Sequence, residues 1–171
     1  MSSSNAPSIV WFRKDLRLDD NPAFTDAVTK GPVIPLFLWS PNEEDFSTGG
    51  ASRVWLYHSL LSLKKQLAVL GLNLIIRKGN SVDNLFDIVD STNAKAVYTN
   101  KRYEPSSIKN DKEIANKLKE IGLDYKTFNG NLIIDPKVVL NKSNLPFKVF
   151  SHFWKKCLSV ANPKEPLPVP N

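Results

Sequence analysis

The stretch Ser8-Ile9-Val10-Trp11-Phe12-Arg13-Lys14-Asp15-Leu16-Arg17-Leu18-Asp19-Asp20-Asn21-Pro22 decides the fold. Ile9 to Phe12 form an unbroken β-forming apolar run, the pattern of a strand buried on both faces. A charged turn follows. Asn21 or Asp20 can then accept the free amide hydrogens of a first helical turn, and Pro22 suits a helix start, where its missing N–H is harmless. In an open parallel sheet, ligands sit at the carboxyl ends of the strands. Arg13, Lys14, Asp15 and Arg17 fall at that end or just beyond it.

Working outward, the same alternation repeats. Pro22 to Lys30 predicts a short helix ending at Gly31, and Val33-Ile34-Pro35-Leu36-Phe37-Leu38-Trp39 a second strand. Pro35 cannot donate to a ladder, which predicts a bulge or interrupted pairing. Glu43 to Gly50 reads as a polar loop. Ala51 to Leu70 predicts a long helix whose apolar face carries Leu56, Leu60, Leu63, Leu67 and Leu70, stopped by Gly71. Strands follow over Asn73 to Arg77, Ala94 to Thr99 and Tyr125 to Phe128. Between them lie helices capped by Ser81 and started at Ser106 or Ser107. No short hairpin joins the strands, so the pairing is parallel. The expected architecture is α/β, a doubly wound five-stranded parallel sheet of order 3-2-1-4-5.

Residues beyond Gly130 break the pattern. Leu132 to Pro136 reads as short and extended. Phe147 to Cys157 predicts a last helix that clusters Phe150, Phe153, Trp154 and Cys157. Those aromatics either close the sheet or receive a second domain. Residues 8–160 therefore read as one domain. Residues 161–171, with prolines at 163, 166, 168 and 170, read as an extended linker. A linker at the chain end predicts a truncation or a natural short fragment.

The chain of 171 residues is 42% apolar and 23% charged, enough for one domain with a real core. No stretch approaches a membrane span, and the polar start lacks the features of a secretory signal. The sole cysteine, Cys157, excludes an internal disulfide framework and reads as a packed side chain. The expected location is intracellular, in cytoplasm or nucleus. The net charge is +6: residues 1–99 carry ten basic and ten acidic side chains, residues 100–171 thirteen and seven. That excess fits either a solvated lysine-rich surface or weak attraction to an anionic partner such as DNA.

Neither a Gly-Lys-Ser/Thr phosphate loop nor a Gly-x-Gly-x-x-Gly follows the first strand, which weighs against nucleotide triphosphatases and dinucleotide dehydrogenases. His58 and His152 lack metal-ligand companions. The carboxyl ends of strands one, two and four bring Arg13, Trp39 and Arg102-Tyr103-Glu104 to one rim, and Arg53 at the head of the long helix joins them. Arginines beside aromatic rings fit a planar, anionic ligand. Glu104 suits either a structural ion pair or the N–H donors of a heteroaromatic cofactor.

Val10 to Ala23 resembles the opening signature of DNA photolyases and cryptochromes. Ala51-Ser52-Arg53, Tyr103-Glu104-Pro105, Phe128-Asn129-Gly130-Asn131-Leu132 and Ser151-His152-Phe153-Trp154-Lys155-Lys156-Cys157-Leu158 extend the likeness along the chain. The 51–53 and 154–157 stretches are most similar to plant-type cryptochromes. The resemblance implies a Rossmann-like N-terminal domain that holds or scaffolds an antenna pigment, such as methenyltetrahydrofolate, FMN or a deazaflavin. FAD would then sit in a helical C-terminal domain outside this chain, joined in cis or in trans. Such a domain alone is not expected to repair DNA, although full-length relatives include deoxyribodipyrimidine photo-lyase. Ser106 and Ser107 stand where some folate-binding members carry an Asn-Glu pair, exchanging a carboxylate for short hydroxyls. Two other classes remain open, a stand-alone regulatory or interaction protein without pigment and a small nucleotide-binding α/β protein.

Overall fold

In the computed structural model, which describes residues 6–43 and 48–170, the first strand β1 (Ser8–Phe12) is buried along its whole length. Ile9 and Trp11 enter one apolar core, and Val10 and Phe12 enter another on the opposite face. A strand covered on both faces has no need of polar alternates, hence the unbroken apolar run.

Four further units follow in order. They are α1 (Pro22–Lys30) with β2 (Val33–Trp39), α2 (Gly50–Val69) with β3 (Ile75–Lys78), α3 (Ser81–Thr92) with β4 (Ala96–Asn100), and α4 (Pro105–Glu120) with β5 (Asp124–Phe128). All pairings are parallel and the order is β3-β2-β1-β4-β5, as the strand–helix alternation requires. Ala23, Phe24 and Ala27 of α1 and Leu63 and Leu67 of α2 cover one face. Val82, Leu85, Ile88 and Val89 of α3 and Ile114 and Leu118 of α4 cover the other. The strand order reverses direction at β1, so β1 and β4 flank the switch point where open sheets leave a crevice.

The local signals hold with small shifts. Asn21 caps α1 by accepting the Phe24 N–H at 3.2 Å. Gly71 follows α2 at φ 73°, a left-handed conformation natural to glycine. Pro35 makes no bulge: it stands opposite Val10 in unbroken register, and β3 pairs with β2 only from Leu36 onward. The missing N–H therefore costs no rung on the β3 side. Asn80, not Ser81, caps α3, its Oδ1 accepting the Asp83 N–H at 3.0 Å. Helix α4 begins at Pro105, one residue ahead of the expected serines, because proline fits the first helical position. Residues 44–47 of the expected Glu43–Gly50 loop lie outside the described residues.

Two compact units are distinguished. One runs through Gly130 and includes the chain again from Leu167; the other comprises Asn131–Pro166. The second carries a 3-10 turn at Pro136–Val138 and helix α5 (Phe150–Val160). The expected extended run over Leu132 to Pro136 instead forms bends leading into this turn, capped by Asp135 on the Lys137 N–H at 3.0 Å. Helix α5 starts three residues later than expected, after Val149 in an extended conformation. Cys157 is buried, as its helical spacing predicted, whereas Phe150, Phe153 and Trp154 are exposed.

Leu63→Ala should destabilise the chain by about 2–5 kcal/mol through lost burial and a residual cavity. Val69→Ala, on the same helix but 86% exposed, should change stability by less than about 0.5 kcal/mol. Urea denaturation of the two variants checks the contrast.

Candidate functional site

The charged turn after β1 is held by a buried polar network. Arg13, 8% exposed, donates from Nη1 to Asp111 Oδ1 at 2.5 Å and from Nη2 to the Asn100 carbonyl. The Asp15 carboxylate accepts the Arg13 backbone N–H at 2.8 Å and Asn100 Nδ2 at 2.6 Å. Asn100 Nδ2 also reaches Asn21 Oδ1 at 2.8 Å. Arg17 donates to the Gly130 carbonyl at 2.6 Å. A Cβ at Gly130 would lie 2.5 Å from Asn100 Cγ, so only glycine fits there without displacing the network. The ends of β1 and β4 and the body of α4 are thereby locked together.

This network floors a cavity of about 570 Å³ at the carboxyl ends of β1 and β2. Three of the four tryptophans, Trp11, Trp39 and Trp55, line it. Arg13 stacks over Trp11, its guanidinium carbon 4.9 Å from the ring centroid, and Lys78 Nζ lies 5.1 Å from that of Trp39. Lys14, Arg17 and Arg102 add positive charge. Four buried polar atoms of the lining, Trp11 Nε1, Arg13 Nε, Trp39 Nε1 and Ser40 Oγ, have no hydrogen-bond partner among the described residues. Aromatic walls and cations fit a planar heteroaromatic ligand with an anionic portion.

Residues 8–171 match the DNA photolyase family model. The chain belongs to that family. It is 42% identical over 167 residues to cryptochrome-1 of Arabidopsis thaliana, covering 96% of this chain and 24% of the relative. It is 38% identical to the deoxyribodipyrimidine photo-lyase of Agrobacterium fabrum, covering 99% of this chain and 35% of that enzyme. The crystal structure of a class III photolyase from Agrobacterium tumefaciens superposes with a TM-score of 0.90 at 37% identity, over 99% of this chain and 35% of that one. An archaeal photolyase from Sulfolobus tokodaii superposes at 0.77 with 25% identity, over 95% of this chain and 37% of that one; its structure holds two FAD molecules and implicates a novel light-harvesting cofactor. The chain thus spans about a quarter to a third of the length of these relatives.

Against this photolyase/cryptochrome fold, the sequence-predicted site residues divide. Arg13, Trp39 and Arg102 line the cavity. Arg53 does not: it is exposed and donates from Nε to the Thr48 carbonyl at 3.0 Å, because its turn of α2 presents Ser52 and Trp55 to the cavity instead. Tyr103 and Glu104 are also outside the lining. Tyr103 Oη hydrogen-bonds Asn129 Oδ1 at 3.1 Å. Glu104 accepts Lys14 Nζ at 2.9 Å and Arg102 Nη2 at 3.2 Å, tethering two cations that do line the cavity.

Sequence reasoning missed Trp55, Glu43, Asn110 and Asp111. A signal existed for some of them. Ser52, Trp55, Leu56 and Ser59 share one face of α2, and Ser107, Asn110 and Asp111 continue the buried stripe of Ile114 and Leu118 along α4. Among the described residues no His, Cys, Asp and Glu cluster could hold a metal, and no helix is long and apolar enough to cross a membrane.

Partial burial alone would raise the Glu104 pKa, but hydrogen bonds from Lys14 and Arg102 outweigh it and hold the group at about 2, below the ordinary 4.5. Its contribution to stability is therefore complete above about pH 4.5 and lost as pH falls through 2. The site is partly exposed, so the effect should stay below about 1 kcal/mol. Denaturant midpoints of wild type and Glu104→Gln should differ by a constant amount near neutrality and converge as pH falls toward 2.

Proposed function

We propose that this chain is the antenna-pigment-binding or scaffolding N-terminal domain of a photolyase/cryptochrome-type blue-light flavoprotein. What carries this reading is the cavity at the carboxyl ends of β1 and β2, with three indoles and the cations Lys14, Arg17 and Arg102 around it. The pigment class is methenyltetrahydrofolate, FMN or a deazaflavin. Trp39 and Trp55 would pack on its ring system, and Lys14, Arg17 and Arg102 would attract its anionic portion. Tyr103 and Glu104 act one step away by fixing the loop and its cations. Arg53 contributes by holding the head of α2 through Thr48. A bound pigment would supply absorption in the near ultraviolet or blue; the chain would orient it and exclude water.

FAD belongs, on this reading, to a separate helical domain, as does the lesion-binding surface. Docking is supported by the exposed Phe150, Phe153, Trp154 and Leu158 on α5, where Phe150 and Trp154 stack at 6.2 Å. Residues 161–171 would lead toward that domain. The chain alone would attract DNA only weakly, through charge, and would not repair it. The setting is intracellular, in cytoplasm or nucleus.

The purified chain should carry, or take up, a stoichiometric pterin or flavin, read by absorption and by the mass of the released molecule. A colourless protein that stays empty with folate and flavins would leave only the scaffold reading. Trp55→Ala should weaken pigment binding by about tenfold through lost stacking. Because Trp55 is 77% exposed, the same change should leave stability nearly unaffected. Docking is measured separately: a family helical domain produced alone should bind this chain, and Phe150→Ala with Trp154→Ala should weaken the complex.

A further inference from the structure

The chain leaves the α/β unit after Gly130 and rejoins it at Leu167, and both points are fastened to one turn, Arg17–Asp20. Arg17 Nη2 donates to the Gly130 carbonyl at 2.6 Å and to the Asp20 carbonyl at 3.0 Å. The Asp20 N–H donates to the Leu167 carbonyl at 2.8 Å, and Asp20 Oδ1 accepts the Leu167 N–H at 3.3 Å. The base of the turn is rigid, because the fully buried Asn21 donates from Nδ2 to the Arg17 carbonyl at 2.9 Å.

The two fastenings differ. At Gly130 the Arg17 bond is partly buried, and a Cβ has no room against Asn100. At Leu167 both bonds go to an exposed aspartate, and among the described residues they are the only hydrogen bonds on 167–170. Asp20 also has φ 45°; the other two non-glycine residues with positive φ among the described residues are asparagines. That left-handed conformation is strained for most side chains and least so for Asn and Asp. Water-exposed bonds set against backbone strain leave the Leu167 side closely balanced. The segment itself is prepared for closing. Prolines at 166, 168 and 170 hold it extended before it docks, so little chain entropy is lost. They also lack N–H groups, leaving Leu167 and Val169 the only amide donors of 166–170. Of these two, Leu167 alone meets an acceptor among the described residues.

We propose that the Arg17–Asp20 turn is a releasable docking site for the proline-flanked segment 167–170, a strap that opens at Leu167 while the α/β core stays folded. Asp20 is the latch, gripping the N–H and the carbonyl of one residue. Arg17 is a positioning residue that holds the Asp20 carbonyl and so aims the Asp20 N–H. Arg13, Lys14, Leu16 and Arg17, just before the latch, line the cavity, so the closed strap fixes the chain's return beside the cavity rim. Opening frees that return and leaves the network around Arg13 in place. The latch works with or without a bound pigment.

The test is amide–water exchange, measured by NMR on the isotope-labelled 171-residue chain and corrected for intrinsic rates. In wild type, Leu167 is expected to exchange about tenfold or more slower than Val169, and about tenfold or more faster than the amides of β1. Asp20→Ala, which loses the acceptor and strains the turn further, should bring Leu167 to the rate of Val169. Asp20→Asn keeps an acceptor and tolerates positive φ, so it should retain most of the protection. A Leu167 as fast as Val169 in wild type would overturn the docking. A Leu167 as slow as β1 would overturn release short of unfolding. These two wild-type ratios hold whatever the stability of the variants, which a urea midpoint checks. Protection kept in Asp20→Ala, or lost equally in Asp20→Asn, would overturn Asp20 as the latch.

Discussion

The structure depends on keeping one cation, Arg13, under the sheet's carboxyl edge. Removing a guanidinium from water costs several kcal/mol unless its charge and N–H groups are met. Asp111 supplies the charge, and the Asn100 carbonyl a second acceptor. Asn100 then binds Asp15 and Asn21, and Asn21 caps α1. A single buried charge thus fixes the ends of β1 and β4, the start of α1 and the rotation of α4. Removing one member would strand another in low dielectric, which is why such clusters specify a single arrangement.

The same network decides where the cavity lies. At the switch point the crossovers leave in opposite directions, so no helix covers the ends of the strands directly. The gap is floored by Trp11 and Arg13 and walled by α2, α3 and α4. Polar groups collect there because strand ends and helix starts expose unpaired amides and carbonyls. Glu43 on the Ser81 N–H is one outcome, a side chain from a distant turn meeting a bare helix start. The cavity's chemistry thus derives largely from how elements end.

The order of the sheet was legible because each of the first four strands was followed by a helix-length segment with an apolar face, which allows few topologies. Asn21, Gly71 and the leucine stripe of α2 were legible for the same local reason. Their partners lie within a helical turn or two. Arg13, Trp39 and Arg102 were placed at strand ends by topology alone, and the cavity contains them. Arg53 misled, since a place at the head of α2 says nothing about which face of that helix turns inward. Asp111 and the Glu43–Asn110 contact were not legible, because these pairs span 98 and 67 residues and follow no local period. Pro35 was read as a flaw in pairing. Only the staggered start of β3 shows why the strand tolerates it.

The order that creates the crevice also leaves β3 and β5 as the outer strands. Each has one row of peptide groups without a neighbouring strand, a template onto which another chain could add. Both are short, at four and five residues, and both carry charge: Arg77 and Lys78 on β3, Asp124 and Lys126 on β5. An incoming apolar strand would have to desolvate those charges against its own side chains. The composition of the two margins therefore acts as a colloidal safeguard, discouraging sheet-to-sheet growth and keeping the two-sided core from spreading into aggregates.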